Sequence, residues 1–120
     1  MVSARGFALD RFVCALDVEL DTGRTRVSGR GLDVMEGALT CTTKSPIEPG
    51  TTVQIQLRLV LEWGSSEALT VSGHVLWMTP TEGSYQIGVM LTDVSGDARQ
   101  RLALLIRVLT GVLALPAPGR

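Results

Sequence analysis

Between Thr52 and Trp63 the chain alternates without a break. Val53, Ile55, Leu57, Leu59, Leu61 and Trp63 fall on one parity, and Thr52, Gln54, Gln56, Arg58, Val60 and Glu62 on the other. A period of two marks a strand with one buried face. The same period recurs along most of the chain. Phe12, Cys14, Leu16, Val18 and Leu20 alternate with Val13, Ala15, Asp17, Glu19 and Asp21. Leu69, Val71, Gly73, Val75 and Trp77 form an inward set opposite Thr70, Ser72 and His74, and Tyr85, Ile87, Val89 and Leu91 form another. Two weaker strands lie between, at 24–34 and 38–43. Gly29 and Gly31 mark a bulge or tight bend in the first of these. Asp21-Thr22-Gly23, Ser45–Gly50, Gly64-Ser65-Ser66 and Pro80–Ser84 read as turns. Strands joined in order by short turns predict an antiparallel barrel or sandwich.

After residue 92 the period becomes helical. Ser95 suits an N-cap, and Asp97 suits the positive end of the helix dipole. Leu102, Leu105, Ile106, Leu109, Val112 and Leu113 share one face. Leu104, Val108 and Leu115 fall to one side of it, giving an apolar arc roughly 200° wide at about 100° per residue. Such a helix is either deeply buried or shared between the barrel and a partner. Pro116-Ala117-Pro118-Gly119-Arg120 cannot continue it. The expected organisation is an N-terminal segment at 1–10, a domain at 11–115 with strands over 11–92 and a helix over 96–114, and a tail at 116–120.

Composition narrows the function. A chain of 120 residues, 45% hydrophobic and 19% charged, has one core and is not disordered. A net charge of −1 lacks the basic excess that binding to DNA or RNA requires. Cys14 and Cys41 make neither a disulfide framework nor a four-ligand zinc site, and they read as small buried thiols. His74 is the single histidine and faces away from the predicted core. No nucleophile elbow, phosphate loop or dinucleotide fingerprint is present, and no acid and base stand out as a pair, so the chain is not expected to be an enzyme. Trp63 and Trp77 are expected in the core. Asp10 and Arg11 interrupt any leader, and the apolar run Leu102–Leu115 contains Arg107 and falls short of the roughly 20 residues that span a bilayer. The expectation is a soluble cytoplasmic domain with reduced thiols and no membrane insertion.

The order of these signposts resembles the PilZ domain family. Arg11 precedes the first strand. Asp33-Val34-Met35-Glu36-Gly37-Ala38-Leu39 stands where that family has a D/N-x-S-x-x-G element. Pro49-Gly50 precedes the long strand, Gly73-His74-Val75-Leu76-Trp77 resembles the G-x-V-x-W segment, and Ile87-Gly88-Val89 resembles the I-G-V segment before the helix. The resemblance implies a mainly β fold, a six-stranded antiparallel PilZ-like barrel with a C-terminal α-helix. It also implies binding of cyclic di-GMP through an R-x-x-x-R pair and the D/N-x-S-x-x-G element. Guanidinium groups suit phosphates and guanine edges, and a carboxylate accepts from the guanine donors.

Arg11 and Asp33 match that pattern, whereas Phe7 replaces the first arginine, Met35 the serine and Ala38 the glycine, with Gly37 beside it. Each lost polar contact is worth on the order of 1–3 kcal/mol. The leading expectation is a divergent member with weak or absent cyclic di-GMP binding. It would act through a protein partner or homodimer at Leu104, Val108 and Leu115, in bacterial motility or surface-attachment signalling. The alternatives are a working receptor using Arg5, Arg11 and Asp33, and an OB-type barrel that lacks the usual exposed aromatics and basic groove. Arg24, Arg26 and Arg30 share a strand face that either meets an anion or is simply solvated. Asp33 either holds a ligand or satisfies a turn.

Overall fold

The computed structural model describes residues 13–61, 64–92 and 94–109. The strands expected from the sequence form in order: β1 (Val13–Asp21), β2 (Arg26–Met35), β3 (Ala38–Thr43), β4 (Thr52–Leu61) and, after the two-residue β5 (Gly64–Ser65), β6 (Leu69–Thr81). Then come β7 (Ser84–Thr92) and the helix α1 (Gly96–Leu109). The sheet runs β1-β2-β3-β7-β6-β4-β5, and β1 also pairs with β4. The six long strands therefore close into an antiparallel barrel, with one C-terminal helix. The short β5 pairs with Val60 and Leu61 and extends the β4–β6 connection. Arg5, Phe7, Arg11, Phe12, Trp63, Leu115, the segments 1–10 and 116–120, and the side chain of Cys14 lie outside the described residues.

The alternating sets fill the barrel. Leu20, Ile55, Leu57 and Ile87 are completely buried, and Leu16, Leu39, Val53, Val75 and Val89 nearly so. Burying each such side chain contributes about 1.5–3 kcal/mol. The turn after β1 forms where Asp21-Thr22-Gly23 predicts it. Gly23 takes a φ of 89°, and its N–H donates to Asp21 Oδ1 at 2.8 Å. The bend expected in β2 is a register shift between Gly31 and Asp33 in its pairing with β3. A Cβ at Gly31 would run into the Leu16 side chain, and one at Gly29 into the Thr42 carbonyl oxygen. Both glycines therefore mark close approach of backbone to its neighbours.

Two expectations fail, each for a local reason. Trp77 is not in the core: it is 40% exposed. The β6–β7 register shifts between Val75 and Trp77, so Leu76 is an extra residue and Trp77 moves to the outer face. Val108 is not on an exposed helix edge: it is 3% exposed and packs with Leu102, Leu105 and Leu109 in the barrel core. The buried stripe is Leu102, Leu105, Val108 and Leu109, so the helix turns the Val108 side of its apolar arc to the barrel and leaves Ile106 only partly buried. Of the expected edge, Leu104 is 48% exposed. Ser95 caps the helix as predicted, accepting the Ala98 N–H at 3.2 Å on its hydroxyl. Arg101 reaches Glu67, just before β6, at 3.9 Å.

Cys41 is fully buried, and desolvation pushes its thiol from 9.0 up to about 12. The folded state thus holds the thiol protonated where the unfolded chain ionises. Its contribution to stability is complete below about pH 9 and is lost as pH rises towards 12. In a Cys14→Ser background, Cys41 is expected to resist a thiol reagent at pH 8 until denaturant is added. Fast native-state labelling would contradict the buried assignment.

Candidate functional site

The β2–β3 hairpin carries most of the residues singled out from sequence. Met35 pairs with Ala38 across the turn, and Asp33 pairs with Thr40. Pairing continues from Ala38 to Met90 and from Thr40 to Gly88. It then reaches β6, where Met90 faces His74 and Gly88 faces Trp77. Two adjacent rows therefore cross four strands: Met35–Ala38–Met90–His74 and Asp33–Thr40–Gly88–Trp77. Val34, Leu39 and Val89, on the other parity, are buried inside the barrel, so both rows lie on its outer surface.

This face is largely apolar. Met35 is 54% exposed, Trp77 40% and Met90 38%. A Cβ at Gly88 would penetrate the Trp77 indole, so the ring lies flat against the bare backbone of β7. The bulge that turns Trp77 outward also exposes Leu76. Asp33 is the acidic group on the two rows, half-buried at the hairpin base. Gly37 is exposed at the turn, and a Cβ there would meet nothing.

Asp33, Met35, Gly37 and Ala38 are thus brought together, as their sequence spacing implies. Arg5 and Arg11 lie outside the described residues. Of the three arginines expected on one strand face, Arg26 and Arg30 share it on β2 and are met by acids of β1, whereas Arg24 lies in the turn before the strand. Arg30 pairs with Asp17 at 3.2 Å, and Arg26 lies 3.5 Å from Glu19 and 3.6 Å from Asp21. All are solvent-exposed, so each pair contributes well under about 1 kcal/mol. Sequence reading put Trp77 in the core and did not single out Met90 as a site residue. Strand parity placed Met90 correctly outside, but nothing in the sequence reveals the bulge that exposes Trp77. Among the described residues, no cluster of His, Cys, Asp and Glu is placed to hold a metal ion. No described helix is long and apolar enough to cross a membrane.

The class defined by these features is a closed antiparallel barrel that carries Asp33, Met35, Gly37 and Ala38 on one outer hairpin and packs a C-terminal helix into its core. The chain belongs to the PilZ domain family, whose model matches residues 5–107. A search of curated proteins finds no match. Two solved structures from Escherichia coli are similar in fold. The PilZ domain of YcgR with c-di-GMP has a TM-score of 0.62 at 11% identity, over 84% of this chain and 88% of that one. YcgR in complex with c-di-GMP has a TM-score of 0.64 at 13% identity, over 82% of this chain. This chain spans 42% of that longer YcgR chain.

Proposed function

We propose that this chain is a non-catalytic PilZ effector domain of the cytoplasm in which the nucleotide face has become a protein-contact face. It binds cyclic di-GMP weakly or not at all and acts through protein partners in bacterial motility or surface-attachment signalling. The observation that carries this reading is Met35. It occupies the family's serine position, is 54% exposed, and pairs across the hairpin with Ala38, which pairs in turn with Met90. A hydroxyl that would donate to a ligand is replaced by a flexible apolar side chain of the kind used at adaptable protein contacts. Leu104, exposed on the helix, is a second apolar point for the same kind of contact.

The outward placement of Asp33 supports the alternative, a working receptor that uses Arg5, Arg11 and Asp33. Calorimetric titration of cyclic di-GMP separates the two readings. The unaltered protein is expected to give no saturable heat at about 100 µM ligand, because two lost contacts of about 1–3 kcal/mol each weaken binding by about 30- to 20,000-fold. The triple variant Phe7→Arg, Met35→Ser, Ala38→Gly is expected to gain binding. Micromolar binding by the unaltered protein, abolished by Arg11→Ala, would establish the receptor reading instead.

A further inference from the structure

One cavity of the barrel surface lies away from the hairpin face. It is an open trough of about 590 Å³ over β4, β1, β2 and β3, and none of Asp33, Met35, Ala38, Met90 or Trp77 lines it. Its middle is Ser28-Gly29-Arg30, where the missing Cβ of Gly29 lets β2 lie against the Thr42 carbonyl. The floor carries the small hydroxyls of Ser28, Thr42 and Ser84. Thr42 Oγ1 donates to Ser84 Oγ at 3.4 Å, and Ser84 lies 2.8 Å from Thr81 Oγ1.

The charges on the rims do not cancel. By register Asp17 faces Arg30 on one side and Arg58 on the other. Its carboxylate takes Arg30, at 3.2 Å. Glu19, the other acidic lining residue, takes Arg26 at 3.5 Å. Arg58 on β4 and Lys44 just after β3 form no ion pair among the described residues. Both carboxylates are thus engaged, and two cations remain on opposite rims. Arg58 and Lys44 line the same trough, one from β4 and the other from the end of β3.

We infer that this trough is a ligand site, separate from the hairpin face, for a small polar molecule carrying two phosphate groups held between Arg58 and Lys44. The volume lies in the range of about 300–1,000 Å³ typical of small-molecule sites. Among the described residues no aromatic side chain lines the trough, so these residues offer a nucleobase nothing to stack on. Hydroxyls and Gln56 suit a ligand body as polar as a sugar.

The test is an amide chemical-shift titration of the full chain at low salt, with inorganic pyrophosphate as probe. Saturable shifts centred on Ser28, Thr42, Lys44 and Arg58 are expected. Arg58→Gln and Lys44→Gln should each weaken the midpoint about tenfold while leaving the unbound spectrum folded. Asp33→Ala should leave the midpoint unchanged, which keeps the result independent of how the hairpin face behaves. Fructose 1,6-bisphosphate should shift the same amides, since it presents two phosphates on a polar body. Three results would overturn the assignment: shifts spread equally over Arg24 and Arg99, a midpoint insensitive to Arg58→Gln, or binding removed by Asp33→Ala.

Discussion

Val108→Asp is expected to unfold the domain, whereas Leu104→Asp is expected to leave it folded. The two positions lie one helical turn apart and both are apolar, yet Val108 is 3% exposed and Leu104 48%. A carboxylate at Val108 would sit among Leu102, Leu105 and Leu109 without a partner. Burying an unpaired ionisable group costs several kcal/mol even after it takes up a proton, and the methyl packing of valine is lost as well. Against a total stability of about 5–15 kcal/mol, that loss is expected to abolish a cooperative thermal transition or lower its midpoint by more than 15 °C. At Leu104 the change is expected to stay within about 0.5 kcal/mol. Circular dichroism melts of both variants check this. A Val108→Asp protein melting within a few degrees of the parent would show that the helix does not insert as described. With folding intact, Leu104→Asp is also the variant that reports on the exposed helix edge: reduced partner capture or a lower oligomeric mass by light scattering would assign a contact there.

Gly29→Val is expected to be nearly as damaging, by a different route. The added Cβ meets the Thr42 carbonyl oxygen, and Thr43 Cγ2 lies 2.9 Å from it. A carbonyl in a strand ladder cannot swing aside as a side chain does. Thr43 is also fixed, since it is 2% exposed and its hydroxyl donates to the Ser45 carbonyl at 2.7 Å. Relief therefore requires β2 and β3 to separate, breaking ladder bonds on a strand that the closed barrel holds on both sides. A loss of more than about 3 kcal/mol is expected, read as a fall in the urea midpoint. Gly37→Ala is the control: nothing lies within 4 Å of its Cβ, and the change is expected to be near neutral. An unchanged midpoint for Gly29→Val would mean that β2 and β3 are farther apart than described.

Most of the barrel is legible in the sequence because burial on one face forces a period of two. Leu16, Val18 and Leu20, and Val53 through Leu59, are buried as their parity predicts. The weak strand over 24–34 is legible for another reason. Gly29 and Gly31 are small because neighbouring backbone and side chain occupy the space a Cβ would need. The outward turn of Trp77 is not legible, because one inserted residue reverses parity without changing composition. The burial of Val108 is not legible either, since the apolar arc is wider than the stripe that packs, and periodicity does not say which part of it turns to the barrel. Asp33, Met35, Gly37 and Ala38 were found through their linear spacing, because a hairpin keeps sequence neighbours together. Arg58 and Lys44 come from different strands, and their convergence depends on register that no spacing encodes.

Closure of the barrel also bears on how the chain reaches its fold. Four of the six seams join strands consecutive among the long ones: β1 with β2, β2 with β3, β4 with β6, and β6 with β7. The remaining two join β1 to β4, with Leu20 opposite Ile55, and β3 to β7, with Leu39 opposite Val89. Those two seams enclose long loops, whose closure entropy must be met before any of their ladder bonds form. As the chain emerges from the ribosome, the β1–β2–β3 meander is made first, with both edges open. β4 arrives to seal one edge, while the other waits for β7, almost the last strand. Until then the apolar inner faces of β1, β2 and β3 have no opposite wall, and the nascent domain is most exposed to association with other chains.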